Sequence, residues 1–113
     1  MLVDSRAAVR FRGEEEPIDR VAGHIPGAVS APWTDNLDEA GRFLSRDKLR
    51  KRFAVLIGNR DPEKVLFHCG SGVTAIHNII AMRHAGLGNA GLYAGSWSEW
   101  ITDTRRPIAT GED

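Results

Sequence analysis

The residues whose types and spacing are best suited to chemistry surround the only cysteine of the chain. Cys69 lies in the segment HCGSGVTA, between an apolar run at residues 65–67 and a stretch with helical spacing of apolar residues. Gly70 and Gly72 allow the backbone here to curl tightly with its N–H groups pointing inward. Inward amides and the positive end of the following helix both favour a thiolate. The segment therefore indicates a nucleophilic cysteine.

A structural role for Cys69 is the alternative. A free cysteine at the end of a strand often packs as a small apolar residue and does no chemistry. Here a glycine stands on each side of Ser71, directly before a helix. A tightly curled loop of this kind is not needed to bury a thiol, so the glycines favour a site.

Two reactions suit a thiolate held among amides, namely attack on phosphorus and attack on sulfur. Cysteine phosphatases grip the phosphate with an arginine six residues after the cysteine. That position is Ala75 in this chain, which argues against phosphoryl transfer. A persulfide carries a single charge, which inward amides and a hydroxyl from Ser71 or Thr74 stabilise without a guanidinium. The loop around the sulfur comprises Gly70, Ser71, Gly72, Val73 and Thr74.

Short predicted strands alternate with helices, and these elements must position the loop. The pattern predicts strands at residues 1–3, 28–29, 64–68 and 91–94, and one or two helices within residues 35–59. A parallel sheet gathers ligands beyond the carboxyl ends of its strands, which is where Cys69 lies. The predicted fold class is α/β, with a central, mainly parallel sheet flanked by helices, and residues 1–113 form a single domain.

Two helical patterns follow the cysteine. Val73, Ile76, Ile80 and Leu87 have helical spacing, so they predict a helix that ends near Gly86. Residues 96–99 have the Ser-x-x-Glu form of a helix capping box.

Composition excludes several classes of function. The 113 residues carry 15 Lys and Arg against 15 Asp and Glu, so no global positive field attracts nucleic acid or an anionic membrane. One cysteine cannot form an intramolecular disulfide, and no apolar stretch approaches the roughly 20 residues that span a bilayer. We therefore expect a soluble, cytoplasmic protein without a nucleic-acid or membrane partner.

The chain resembles a known family. The motifs LVDSR, RFRGEEEP, GHIPGAVSAPW, CGSGVTA and YAGSWSEW, in this order, are similar to the catalytic, C-terminal rhodanese domain of tandem-domain sulfurtransferases. The resemblance covers nearly the whole chain. It implies the rhodanese fold and a catalytic Cys69 that carries a transferable sulfur as a persulfide, with no metal or organic cofactor. It also implies a small-molecule sulfur donor and a thiol, cyanide or thioredoxin-like acceptor.

The resemblance further implies a donor class. Thiosulfate-type members carry basic residues in the loop, whereas CGSGVT is similar to the 3-mercaptopyruvate type, and no cation stands at Gly70 or Ser71. In the mercaptopyruvate enzymes two arginines hold the substrate carboxylate. Arg10 matches the first, and Arg20 lies one position away from the second. The expected donor is therefore 3-mercaptopyruvate rather than thiosulfate.

The family pattern also shows departures. In tandem mercaptopyruvate enzymes an aspartate and a histidine of the N-terminal domain assist the loop serine, and this chain has no such domain. The chain is therefore expected to be a fragment of a tandem protein, with a second rhodanese domain as partner, or a single-domain member. A rival function follows, namely a non-enzymatic module that carries persulfide sulfur or docks a partner.

The remaining candidates have plainer explanations. His24 in the turn GHIPG is expected to bond backbone rather than to catalyse, and Asp4 is expected to cap nearby amides. The histidines at 68, 77 and 84 lack the spacing of a zinc site. The acidic run Glu14 to Glu16 is expected to face solvent.

Overall fold

A computed structural model describes residues 1–112 of the chain. It contains four short strands, β1 (Leu2–Asp4), β2 (Val29–Ser30), β3 (Leu66–His68) and β4 (Gly91–Leu92). They form one sheet in the order β2-β1-β3-β4, and every pairing is parallel. The predicted α/β class with a parallel sheet is confirmed.

Four α-helices connect or follow the strands, and they are α1 (Ala8–Arg12), α2 (Arg46–Ile57), α3 (Ala75–His84) and α4 (Ser96–Trp100). Single 3-10 turns occur at Trp33–Asn36 and Pro62–Lys64. The N-terminus of α2 is capped by Ser45, whose hydroxyl accepts a hydrogen bond from the amide of Lys48 at 3.3 Å. The region predicted to hold one or two helices thus contains a 3-10 turn and one α-helix.

The helices cover the two faces of the sheet as separate hydrophobic layers. Val3 and Phe67 are opposite each other in the sheet and pack into a cluster with buried residues of α2 and α3. Leu2 points to the other face, where it packs with Phe11 of α1 and Trp97 of α4. The alternation of side chains along β1 therefore places α2 and α3 on one face and α1 and α4 on the other.

The helix after the cysteine forms as predicted, but with a different buried face. The buried residues of α3 are Ala75, Asn78, Ala81 and Met82. Val73, Ile76 and Ile80, which supplied the predicted apolar spacing, are 70%, 43% and 51% exposed. Helical spacing cannot distinguish one apolar stripe from another, and small residues let α3 approach the sheet closely.

The order of the strands brings two chain segments together at the carboxyl edge of the sheet. β1 and β3 are neighbours, so the residues after Asp4 lie beside those after His68. The amide of Ser5 donates to the carbonyl of His68 at 2.7 Å, which extends the ladder past the end of the strands. Cys69, which follows β3, therefore lies beside the Ser5–Arg6 segment, which follows β1.

Candidate active site

The backbone on both sides of Cys69 is held by α4. The amide of Trp97 donates to the carbonyl of Cys69 at 3.0 Å, and the amide of Ser98 donates to the carbonyl of Gly70 at 2.8 Å. The amide of Cys69 in turn donates to the Ser96 hydroxyl at 3.0 Å. Because the carbonyls are turned towards α4, the following amides are free to turn towards the sulfur.

The thiol of Cys69 lies at the centre of this curl. The residue is 1% exposed, and the amide of Gly72 donates to its Sγ at 3.0 Å. Burial raises the pKa of the thiol, but the Thr74 hydroxyl and the amides of Ala75, Gly72 and Ser71 outweigh burial and lower the pKa below its ordinary value. The loop thus favours the thiolate, as the sequence predicts.

Gly72 is required by the close approach of the loop to the segment after β4. Its φ is +93°, and a β-carbon at this position would collide with the carbonyl oxygen of Ala94. Any other residue would have to displace backbone, which a packed loop resists. The glycine therefore fixes how the amide at 72 meets the sulfur.

A small cavity opens above the thiol. Its volume is about 150 Å³, and its lining consists of Arg10, Ile18, Cys69, Gly70, Ser71, Thr74 and Ser98. A larger cavity of about 260 Å³ lies elsewhere, beside Ser30 and Phe11. Of the two, only the smaller one contains the cysteine, and its size suits a ligand of a few heavy atoms.

The predicted site residues are placed as follows. Gly70, Ser71 and Thr74 line the cavity with Cys69, while Gly72 packs beneath it and the Val73 side chain is exposed. Arg10 reaches the cavity from α1. Arg20 is exposed, and its Nη2 donates to the carbonyl of Ile101 at 3.0 Å. Among residues 1–112 the cavity lining does not include Arg20, whose role as a carboxylate ligand stays a prediction.

Arg10 is held in place by two carboxylates. Its Nη2 lies 3.0 Å from Glu16 Oε2 and 3.2 Å from Asp19 Oδ2, and its Nε donates to Glu16 Oε1 at 3.3 Å. The side chains of Arg10, Glu16 and Asp19 are 15%, 6% and 12% exposed. The expectation that Glu16 faces solvent is therefore wrong, because the carboxylate is folded back over α1 to meet arginines.

His24 and Asp4 have structural contacts. His24 Nδ1 bonds the carbonyl of Phe11 at 2.7 Å, and its ring stacks on the Phe11 ring with centroids 3.7 Å apart. Asp4 accepts the amide of Arg6 at 2.9 Å, as expected of a capping carboxylate, and also forms an ion pair with the Arg6 guanidinium at 2.7 Å. Within the described chain no three His, Cys, Asp or Glu side chains are grouped as a metal ion requires.

Sequence reasoning missed three residues near the cavity, namely Asp19, Ser96 and Ser98. Ser96 does not cap α4, because its φ of +56° directs its hydroxyl to the Tyr93 carbonyl and the Cys69 amide. Ser98 lines the cavity and donates to Asp19 Oδ1 at 3.0 Å. A positive φ at serine has no signature in the sequence, so the capping-box pattern at 96–99 was misleading.

The chain belongs to the rhodanese family, since the model of the rhodanese-like domain matches residues 1–103. It is similar to 3-mercaptopyruvate and thiosulfate sulfurtransferases. It is 59% identical over 111 residues to a probable 3-mercaptopyruvate sulfurtransferase of Pseudomonas aeruginosa, covering 98% of this chain and 39% of that protein. It is 43% identical over 107 residues to the human 3-mercaptopyruvate sulfurtransferase, covering 92% of this chain and 35% of that protein.

A putative thiosulfate sulfurtransferase of Mycobacterium tuberculosis is 41% identical over 113 residues, with 97% of this chain and 38% of that protein covered. The chain thus spans about two fifths of the length of the curated relatives it matches. A solved anaerobic ergothioneine biosynthesis enzyme from Chlorobium limicola shares the fold, with a TM-score of 0.83 at 23% identity over 97% of this chain and 28% of that one. No helix within residues 1–112 is long and apolar enough to cross a membrane.

Proposed function

We propose that this chain, as one rhodanese domain, transfers sulfur from 3-mercaptopyruvate through a persulfide on Cys69. The observation that carries the proposal is the geometry around the buried Cys69 thiol, whose Sγ accepts a hydrogen bond from the amide of Gly72 at 3.0 Å. The Thr74 hydroxyl and the loop amides lower the pKa of this thiol despite its burial. A cysteine that only packed the core would have no need of such a cradle. The high identity to 3-mercaptopyruvate sulfurtransferases supports the same reading.

In the first half-reaction the Cys69 thiolate attacks the sulfur atom of the donor thiol. A sulfur–sulfur bond forms, the carbon–sulfur bond breaks, and its electron pair remains on the carbon as the enolate of pyruvate. Solvent in the open cavity protonates that carbon and takes up the proton of the donor S–H, so pyruvate leaves and the persulfide remains as an anion. The amides that favour the thiolate also stabilise the persulfide anion, since both place one negative charge on sulfur.

In the second half-reaction an acceptor thiolate or cyanide attacks the outer sulfur of the persulfide. The sulfur–sulfur bond breaks, its electron pair returns to Cys69, and the thiolate is restored. The acceptor gains one sulfur atom as a persulfide or thiocyanate. No electrons are gained or lost overall, so neither half-reaction needs an external oxidant or reductant. A thioredoxin-like protein thiol is a suitable acceptor because the cavity opens to solvent.

The donor preference rests on charge. The carboxylate of 3-mercaptopyruvate needs one cationic partner, and Arg10 lines the same cavity as Cys69. Arg20 is proposed as a second partner only if its side chain leaves the Ile101 carbonyl. Thiosulfate carries two charges, and Gly70 and Ser71 offer it no cation.

A second candidate function is a persulfide carrier that works only with a partner. One observation favours it. Val73, which follows the sulfur by four residues, is 70% exposed and offers a partner an apolar contact beside the loop. A second rhodanese domain or another protein would then supply the groups that assist transfer from the donor.

The mass of the intact protein after exposure to 3-mercaptopyruvate, and separately to thiosulfate, tests the proposal. We expect a gain of one sulfur atom, faster with 3-mercaptopyruvate, and none in Cys69→Ser. Because Cys69 is the only cysteine, no other thiol contributes to the signal. Loading of the Cys69→Ser variant would contradict the mechanism, and failure of both donors to load the native protein would favour the carrier.

A further inference from the structure

The charge beside the cavity is set by three side chains of which two are acidic. Arg10 contacts both Glu16 and Asp19, and all three side chains are at most 15% exposed. Their formal charges sum to −1, but Arg6 also contacts Glu16, so the charges that face the cavity most directly are those of Arg10 and Asp19. Because they are largely removed from solvent, the field of this group is screened less than that of a surface ion pair.

The charge of Glu16 is balanced elsewhere. Its Oε1 lies 3.3 Å from Nη1 of Arg6, and its Oε2 accepts the amides of Ile18 at 3.2 Å and Asp19 at 2.9 Å. Glu16 is therefore part of the packing that joins α1 to the following loop. Two guanidiniums share it, so little of its charge acts on the cavity.

Asp19 differs because its contacts face the cavity. Its Oδ2 meets Arg10 at 3.2 Å and its Oδ1 accepts the Ser98 hydroxyl at 3.0 Å, and both partners line the cavity. A β-carbon at Gly70 would lie 3.5 Å from Arg10 Nη2 and 3.7 Å from Asp19 Oδ2. The guanidinium and the carboxylate thus stand side by side over the residue next to the nucleophile.

From this arrangement we infer that Asp19 is a specificity-determining residue, which positions Arg10 and disfavours doubly charged donors. The inference rests on the proposed function. Both the repulsion by Asp19 and the attraction by Arg10 are twice as strong for a dianion as for a monoanion. Asp19 therefore cancels the extra attraction that Arg10 alone would give to thiosulfate, and thiosulfate gains no advantage over 3-mercaptopyruvate from its second charge. Selectivity then comes from an acidic residue as well as from the lack of cations in the loop.

The variant Asp19→Asn tests the charge with little change of shape. Its amide oxygen still accepts one hydrogen bond, so the local packing is retained. Glu14→Gln is the matched control, because Glu14 is an exposed carboxylate paired with Arg12 outside the cavity lining. Asp19→Ser is a second neutral variant in case the first one folds poorly.

The measurement is the rate at which Cys69 gains sulfur from each donor at equal concentration, followed by intact mass. We expect Asp19→Asn to lower the preference for 3-mercaptopyruvate over thiosulfate about tenfold, mainly by faster loading from thiosulfate. The preference of Glu14→Gln should match that of the native protein. An unchanged preference in both neutral variants at 19, or an equal slowing of both donors, would overturn the inference.

A second readout separates this inference from the proposed function. Pyruvate and sulfate, a monoanion and a dianion, are tested as protectants of Cys69 against alkylation by iodoacetamide. We expect Asp19→Asn to strengthen protection by sulfate more than protection by pyruvate. If the native protein gains no sulfur from either donor, the proposed function fails. The ratio of protection by sulfate to protection by pyruvate still decides whether Asp19 selects against dianions. An unchanged ratio would refute that role.

Discussion

Arg6 and Arg10 lie four residues apart and share a carboxylate, yet their surroundings differ. Arg6 is almost fully buried, with its guanidinium bonded to Asp4, to Glu16 and to the Gly23 carbonyl. It also lies 4.9 Å from the ring centre of Trp97. Arg10 shares Glu16 but borders the cavity above the thiol.

The difference lies in the donors that remain unused. All three nitrogens of the Arg6 guanidinium have protein acceptors. Within residues 1–112, Nη1 of Arg10 has no such acceptor, and it lies 3.9 Å from the position of a β-carbon at Gly70. An arginine whose three guanidinium nitrogens all have protein acceptors serves the fold, whereas one with an unpaired nitrogen towards a cavity is available to an anion.

The comparison predicts opposite effects on stability and on function, and the effect at Arg6 is the largest. Arg6→Met leaves Asp4 buried without its partner, so we expect the free energy of unfolding to fall by about 3–5 kcal/mol. Arg10→Met should lower it less, by about 1.5–3 kcal/mol, because charge-assisted hydrogen bonds are lost while Glu16 keeps Arg6 and Asp19 keeps Ser98. Urea unfolding of both variants measures this. Equal losses of unfolding free energy in the two variants would contradict the difference drawn between Arg6 and Arg10.

The next prediction concerns donor binding by Arg10. Removal of a charge-assisted hydrogen bond costs about 1.5–3 kcal/mol, so Arg10→Met should raise KM for 3-mercaptopyruvate roughly 10- to 150-fold with little change in kcat. Arg10→Lys should recover part of the loss, because it keeps the charge but not the planar fork. Steady-state kinetics of sulfur transfer to cyanide provides the measurement. An unaltered KM in Arg10→Met would remove Arg10 from the binding site.

A smaller effect is expected at Ser96, which supports the loop without touching the sulfur. Ser96→Ala removes the acceptor of the buried Cys69 amide, at a cost of about 1–3 kcal/mol in unfolding free energy. Ser96→Gly loses the same hydroxyl but relieves the positive φ, so it should be about 1 kcal/mol more stable than the alanine variant. Thermal unfolding of the pair gives the order. An alanine variant as stable as the native protein would show that the hydroxyl is dispensable.

The smallest expected effect is on the pH dependence of loading. The pKa of Cys69 lies below its ordinary value, so the thiolate, and with it the loading rate, persists as pH falls towards neutrality. Thr74→Val removes a hydroxyl that lowers this pKa, so the rising limb of the pH–rate profile should move to higher pH and loading at pH 7 should slow severalfold. Thr74→Ser keeps the hydroxyl and serves as control. A profile unchanged in Thr74→Val would exclude the hydroxyl from thiolate stabilisation.

Much of this architecture was predictable because it depends on local pattern. Alternating strands and helices indicated the α/β fold, and the glycines at 70 and 72 indicated the loop around Cys69. The buried face of α3 was not predictable, because Ala75, Ala81 and Asn78 are chosen by contact with the sheet rather than by hydrophobicity. Contacts between residues that are distant in sequence are likewise not predicted by a local pattern.

The acidic residues illustrate such hidden contacts. Glu14 to Glu16 form one charged run, but only Glu16 turns inward to meet Arg6 and Arg10. Asp19 and Ser98 are separated by 79 positions and touch because the loop after α1 lies on the same face of the sheet as α4. A family motif marks Arg10, whereas the partners that orient it follow from tertiary packing alone.

The hydrogen bonds from Trp97 and Ser98 to the carbonyls of Cys69 and Gly70 have a kinetic consequence. They prevent the peptide dipoles of the loop from reversing when charge appears on the sulfur. Solvent around a free thiolate must reorient at each change of charge, whereas these dipoles are already aligned before the donor arrives. The peptide dipoles are thus aligned during folding, and the backbone amides of α4 help to stabilise charge on the Cys69 sulfur without bonding to it.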